Sequence, residues 1–192
     1  MKTKLLMLAV ACGCTFAGNA MSMTMTKAEY KAEKTRISAE YKVSKEKCSA
    51  MKANAKDICV SEAKGVEKIA KAEAEAMYEP SAKHTKGVAM AKADAMYDTA
   101  KEKCDDLSGN AKDVCVKDAK AIFVRMKEDA KVAKAATDTT KTKNEKMADV
   151  KKDAADEKRE AAYKAARERC DSLSGVPKDT CQNDAKVKFG MK

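Results

Sequence analysis

Six cysteines occur in three pairs with one spacing, and this spacing is the strongest chemical signal in the sequence. In each pair the second cysteine stands eleven positions after the first, a tyrosine stands seven residues before the first, and Ala-Lys follows four and five residues after the second. The pairs are Cys48 with Cys59, Cys104 with Cys115, and Cys170 with Cys181. Paired thiols of this kind form a disulfide in an oxidising compartment, or bind zinc together with other ligands.

The spacing favours disulfides over metal binding or redox catalysis. Zinc sites use cysteines two to four positions apart with further cysteine or histidine ligands, and His84 is the only histidine. A thiol oxidoreductase would carry C-x-x-C beside a βαβ pattern, and the sequence has neither. We therefore predict one disulfide within each pair, while bonds between different copies of the pattern stay an open alternative.

The first twenty residues have the layout of a secretory signal peptide. Lys2 and Lys4 are followed by an apolar run over residues 5–11, and small residues allow cleavage after Ala17 or Ala20. Export would bring the cysteines into an oxidising compartment, so we expect a periplasmic protein. No later segment is apolar enough to cross a membrane, and we expect no transmembrane segment after cleavage.

A lipid anchor on Cys12 is a weaker alternative for the same segment. Lipoprotein signals usually have leucine three residues before the modified cysteine, and Ala9 occupies that position. We therefore favour cleavage and release over anchoring.

The composition indicates a helical protein with a thin core. Charged residues make up 36% of the chain and aromatic residues 4%, and alanine, the best helix former, is abundant. Loss of Lys2 and Lys4 with the signal lowers the formal charge from +10 to +8. Acidic and basic residues are interspersed, as on solvated helix faces, so we expect no nucleic-acid partner.

The three cysteine pairs mark three copies of one unit, which start at Tyr41, Tyr97 and Tyr163. The middle of each copy has the signals of one helix ending and another beginning. In the second copy, Gly109 suits the left-handed position after a helix and Asn110 suits the cap of the next helix. The first copy lacks this glycine but keeps an asparagine at the cap position.

The flanks of each turn carry apolar residues three and four positions apart, which predicts an apolar seam along each helix. Its members before the turns are Tyr30, Ile37, Tyr41, Cys48 and Met51 in the first copy and Met90, Ala93, Tyr97, Ala100, Cys104 and Leu107 in the second. After the second turn it continues through Cys115, Ala119, Ile122 and Met126. We expect the tyrosines that start the copies to cover the bridged end of each hairpin.

These signals together predict an all-α fold of three tandem antiparallel helical hairpins, each closed by one disulfide, in an elongated chain or a loose bundle. The expected boundaries are 21–80, 81–138 and 139–192. The chain breaks at Glu79-Pro80-Ser81 and weakens over 137–144, and Thr26 with Glu29 forms a capping box that opens the first helix.

Two further features could have chemical roles. Met21, Met23 and Met25 place three thioethers at alternate positions, a soft ligand set for Cu(I), although methionine is common in this chain. His84 is expected to be a solvent-exposed surface residue. No catalytic triad, phosphate loop or paired-carboxylate site can be assembled, so we expect no enzyme and no cofactor.

The repeated unit behind a signal peptide resembles a group of periplasmic Ala/Lys-rich proteins often labelled cell envelope biogenesis protein TolA, or TolA-like. The resemblance covers nearly all of the chain after residue 20, and the cysteine spacing is its specific part. It implies a role in the cell envelope but carries no functional residues over. We expect neither the retained membrane anchor nor the globular C-terminal domain of TolA itself, so the resemblance does not imply a bridging role between membranes.

The sequence thus predicts a non-enzymatic structural or interaction protein of the periplasm, with a protein or envelope component as its partner and with self-association open. A holdase that meets unfolded proteins through methionine-rich helices is an alternative. Weak binding to anionic surfaces through the positive charge is another.

Overall fold

The computed structural model describes residues 24–137 and 143–192, and helices account for most of these residues. The helices are α1 Lys27–Cys48, α2 Ala53–Tyr78, α3 Ala82–Cys104, α4 Gly109–Ala136, α5 Lys143–Arg169 and α6 Val176–Phe189. A short 3-10 turn, Cys170–Ser172, follows α5. No strand occurs in these ranges, and the predicted all-α class is confirmed.

Three disulfides close the three hairpins and pair the cysteines within each copy, as predicted. Cys48–Cys59 joins α1 to α2, Cys104–Cys115 joins α3 to α4, and Cys170–Cys181 joins the end of α5 to α6. The Cα atoms of each pair are 5.6–5.7 Å apart, the usual separation for a disulfide. The first cysteine of every pair is buried.

The hairpins also pack against one another. The helix α2 lies along α3, and α4 lies along α5, so that each interior helix has a neighbour on both sides. Within the described ranges, every extensive helix–helix contact joins helices that are consecutive in the chain. The fold is therefore an antiparallel meander of helices. The last helix is short, with 14 residues against 22–28 for the others.

Alanine forms most of the core. Ala63, Ala119 and Ala185 each stand four residues after the second cysteine of their copy, and all three are buried. This burial accounts for the recurring Ala-Lys of the sequence pattern, because a small side chain lets the two arms approach while the next residue reaches solvent. The helices α2 and α3 come close together at Gly65, where a Cβ atom would lie 2.9 Å from the Cβ of Ala95.

The predicted seam is only partly correct. Ile37 and Ala93 are buried, as expected, but Met51, Leu107 and Ile122 are exposed by 44–46% of their surface. The helices approach each other through alanine, and the space between them is too narrow for large side chains at every seam position. Larger residues therefore lie at the margins of the interfaces or in the turns.

The bridged turns share an unusual backbone conformation. The fifth residue after the first cysteine has a positive φ in every copy: 49° at Ala53, 53° at Gly109 and 61° at Gly175. Glycine adopts this conformation without steric cost, whereas Cβ of another residue meets its own backbone. Gly109 has the positive φ that was predicted, although it begins α4 and does not directly follow α3, and the first copy holds this φ with an alanine.

We predict that Ala53→Gly stabilises the protein. Glycine removes the steric cost of the left-handed conformation, and the expected gain in the free energy of unfolding is about 1 kcal/mol. Denaturant unfolding of the oxidised protein measures it. Ala50→Gly, three residues earlier in the same turn and without a positive φ, is the control and should not stabilise. Equal effects at both positions would contradict the prediction.

The predicted helix caps divide into one success and one failure. At α1 the capping box is present, since the Thr26 hydroxyl accepts from the Glu29 N–H and the Glu29 carboxylate accepts from the Thr26 N–H. These bonds lower the pKa of Glu29. Asn110 does not cap α4, which is preceded by Ser108 instead. The equivalent Asn54 lies inside α2 and bonds to the next hairpin.

Candidate interaction surface

The three bridged turns lie at the same end of the meander, because the helices alternate in direction and every second connection carries a disulfide. We call this the bridged end. Polar contacts hold neighbouring turns together there. Asn54 Nδ2 donates to the carbonyl of Glu102 over 2.7 Å, and Arg169 pairs with Asp118.

A large apolar side chain occupies the same position in each bridged turn. Met51, Leu107 and Leu173 each stand three residues after the first cysteine of their copy, and their exposed fractions are 46%, 44% and 42%. In all three turns the N–H of this residue donates to the carbonyl of the first cysteine over 3.0 Å. The side chains are thus fixed in equivalent places. We call these three residues the apolar row.

The apolar row is the feature that the periodicity obscured. Met51 and Leu107 continue the three-and-four spacing of the preceding helix. For this reason both were predicted to belong to the apolar seam. The structure ends the helix before either residue and turns both outward. Aligning the copies by their first cysteines gives the better signal, because the third residue onward is methionine or leucine in every copy.

Ion pairs cross two of the bridged turns beside the apolar row. Asp105 pairs with Lys112, and Asp171 pairs with Lys178, at 2.9 Å in both cases. The hydrogen bond from Lys178 lowers the pKa of Asp171, and the one to Asp105 raises the pKa of Lys112. In the first copy Ser49 replaces the aspartate. Charged groups therefore border the row in the second and third turns.

The tyrosines that start the copies lie two helical turns away from their cysteines. Tyr97 packs against Phe123 across its hairpin, with ring centroids 5.1 Å apart, and Tyr163 packs edge-on against Phe189 at 6.4 Å. Both tyrosines are half-buried. The two rings fill the space between the helices of their hairpin on the far side of the disulfide from the turn. They do not cover the bridged turn itself.

His84 is not the exposed residue that we expected, since only 12% of its side chain is accessible. Its ring folds back over the break between α2 and α3. There Nδ1 lies 2.5 Å from the carbonyl oxygen of Glu79 and Nε2 lies 3.6 Å from Oε1 of Glu75. The imidazole ring therefore packs at the connection between α2 and α3, at the end of the meander opposite the disulfides, where its role is structural.

The predicted Cu(I) ligands are only partly described. Met21 and Met23 lie outside the described residues. Met25 is half-buried, and its N–H donates to the carbonyl of Met77 over 3.1 Å, which ties the start of α1 to the end of α2. Copper binding by these methionines stays the open alternative that the sequence left beside an expectation of no cofactor.

Acidic side chains approach one another between α4 and α5. Glu128 is buried, with its Oε1 2.8 Å from Nζ of Lys131, and Asp153 and Glu157 line the same groove. Over residues 24–137 and 143–192, no group of three or more histidine, cysteine or acidic side chains could hold a metal ion. Glu128 is therefore assigned to an ion pair.

The predicted signal segment, residues 1–20, lies outside the described residues. Three disulfides fit a protein that is located outside the cytoplasm. Among the described helices, none has the length and apolar character needed to cross a bilayer.

No protein-family model matches the chain, and no curated protein or solved structure is significantly similar to it. The resemblance to TolA-like envelope proteins therefore stays a prediction from the cysteine pattern. The proposal for function therefore rests on the geometry of the bridged end.

Proposed function

We propose that this protein is a non-enzymatic structural or interaction protein of the bacterial periplasm, and that it binds another protein through its bridged end. The observation that supports this proposal is the apolar row. Three turns place a large apolar side chain at one repeat position and fix it with the same main-chain hydrogen bond.

The energetics of the turn support a binding role. An apolar side chain that is more than 40% exposed contributes little hydrophobic free energy to folding. A polar residue at this position would leave the turn equally stable. Three exposed apolar residues at the bridged end, with ion pairs at two of the turns, have the composition of an apolar contact patch with a polar rim. The disulfides keep the turns rigid, which reduces the ordering cost of binding.

The partner that fits this surface is a folded protein with a complementary apolar patch. The packing of the repeated hairpins sets the distances between the three residues of the apolar row. We therefore expect the row to be a rigid surface, which suits a rigid partner. A holdase function is the second candidate, and the exposed methionine and leucine side chains favour it because such residues also meet unfolded chains. The periplasmic location is part of the proposal, supported by the signal-like segment and by the disulfides.

Site-specific photo-crosslinking in envelope extract tests the proposal. We expect a crosslinker at position 107 or 173 to capture the same partner protein, and the variant Met51→Gln, Leu107→Gln, Leu173→Gln to lose that partner in pull-down. The matched control is Val66→Gln, Met96→Gln, Ile122→Gln, which changes three apolar residues that are at least as exposed, about two helical turns from their cysteines, and should keep the partner.

Two outcomes would count against the proposed partner. Equal recovery by the row variant and the control variant would remove the bridged end from the interaction. Suppression of the aggregation of a reduced client by the wild type, lost in the row variant, would favour the holdase over a folded partner.

A further inference from the structure

The two interfaces between hairpins use the same positions in both places. Beside the disulfides, Lys103 of α3 pairs with Glu62 of α2 at 3.1 Å, and Arg169 of α5 pairs with Asp118 of α4. In each case the basic residue directly precedes the first cysteine of its copy, and the acidic residue stands three positions after the second cysteine of the previous copy.

A second ion pair also recurs farther down the helices. Lys92 of α3 pairs with Glu73 of α2 at 2.8 Å, and Lys158 of α5 pairs with Asp129 of α4. The basic residues stand twelve positions before the first cysteine, and the acidic ones fourteen after the second. Small residues fill the space between the two pairs. In these two recurring pairs the odd helix supplies the basic residue and the even helix the acidic one, whereas one further ion pair in each interface, Lys68–Asp94 and Lys117–Glu168, has the opposite order.

The helix α1 carries the same basic side, although no other described helix packs on it there. Arg36, Ala39, Val43 and Lys47 occupy the positions held by Lys92, Ala95, Thr99 and Lys103 in α3 and by Lys158, Ala161, Ala165 and Arg169 in α5. All four are exposed, Val43 by 53% of its surface. We call these four residues the basic edge.

The helix α6 carries the acidic side, also without a described neighbour. Asp184 stands where Glu62 and Asp118 form their ion pairs, and Val187 stands where Gly65 contacts Ala95. Val176 occupies the position of Asn54, which bonds to the next hairpin. Val187 and Val176 are exposed by 82% and 75%, more than any other large hydrophobic residue described. We call Val176, Asp184 and Val187 the acidic edge.

We infer that the basic edge of one copy packs against the acidic edge of a second copy, so that the meander continues from chain to chain. Lys47 would pair with Asp184 of the second copy, as Lys103 pairs with Glu62 within the chain. Ala39 would face Val187, whose side chain is larger than glycine and sets the two helices farther apart than α2 and α3. The contact is head to tail, so it adds copies in a row.

This contact between copies uses a different surface from the proposed binding of another protein. The edges lie on the sides of the outermost helices, whereas the apolar row lies at the bridged end. The register favours a second copy over an unrelated partner, because Lys47 and Asp184 occupy the positions that pair at both internal interfaces. Arg36 is already paired with Glu33 and Glu40 of its own helix, so only the ion pair beside the disulfide recurs at this contact. Such pairs weaken as salt rises, so the association should too.

Charge reversal tests the inference in the oxidised full-length protein. We expect the wild-type average mass, measured by sedimentation at low salt, to rise with concentration without reaching a fixed oligomer. Lys47→Glu and Asp184→Lys should each weaken association about tenfold, because like charges then face each other. Mixed in equal amounts, these two variants should associate again, since every contact regains one acidic and one basic partner.

Two controls separate this contact from other causes. Lys45→Glu makes the same change of charge on α1 outside the basic edge and should associate like the wild type. Wild-type protein that stays monomeric, or single variants that associate as strongly as the wild type, would overturn the inference. Association lost on changing the apolar row but kept in Lys47→Glu would also overturn it, and would place self-association at the bridged end.

Discussion

Removal of one disulfide should lower the free energy of unfolding by about 3 kcal/mol. The variant is Cys104→Ala with Cys115→Ala, which opens the central hairpin without leaving a free thiol. The bridge closes a loop of about a dozen residues, and the loss follows from the entropy that the unfolded chain regains. For a chain of this length the melting temperature should fall by about 6–12 °C. Calorimetry of the oxidised proteins measures both.

The effect should be large because the core is mostly alanine. Each buried alanine removes little apolar surface from water, so the arms gain little from packing along their length. Reduction of the wild type should cost more than the loss of one bridge, since it opens three. A variant as stable as the wild type, with the other two disulfides intact, would contradict the view that the bridges hold the hairpins closed.

Two glycine-to-alanine changes should have opposite effects on stability. At Gly65 the added Cβ would lie 2.9 Å from Cβ of Ala95, so α2 and α3 must move apart. Overpacking of this kind costs about 1–3 kcal/mol, and the better helix propensity of alanine offsets about 1 kcal/mol of it. We therefore expect Gly65→Ala to destabilise the protein by up to about 2 kcal/mol.

Gly87 provides the matched control. It lies within α3, and an added Cβ would meet no atom within 4 Å, so Gly87→Ala should stabilise the protein by about 1 kcal/mol through helix propensity alone. Denaturant unfolding compares the two variants directly. Ala95→Gly should restore part of the stability lost in Gly65→Ala, because it removes the facing Cβ. Stabilisation by both changes would mean that α2 and α3 are not in close contact at Gly65.

The hairpins and their disulfides could be predicted because their signals are local. A cysteine on each side of a turn, one helical turn from it, brings the two sulfurs together whatever the rest of the chain does. The Thr26 capping box and the break at residues 79–81 are local in the same sense, and both are present.

The packing between hairpins could not be predicted from helical period. A helix with neighbours on two sides has two contact faces, and in α3 one of these consists of an alanine and a threonine between two exposed lysines, Lys92 and Lys103. A search for large apolar residues does not detect such a face. It also assigned Met51 and Leu107 to the core, although both lie beyond the last residue of their helix.

Asn54 and His84 have a common explanation. Each polar side chain bonds to a carbonyl beyond its own helix, Asn54 to Glu102 and His84 to Glu79. From the sequence alone, the asparagine is predicted to cap a helix and the histidine is predicted to be exposed to solvent. Only the arrangement of neighbouring helices supplies these carbonyls as partners.

The position of the disulfides determines what a single break in the main chain would do. A protease that cuts between Cys104 and Cys115 would leave both fragments covalently joined, and the helices on either side would stay paired. A cut at Pro80, at the opposite end, would leave only side-chain contacts between two separate polypeptides. Nicking at the end that carries the apolar row is therefore tolerated, whereas nicking at the other end divides the molecule.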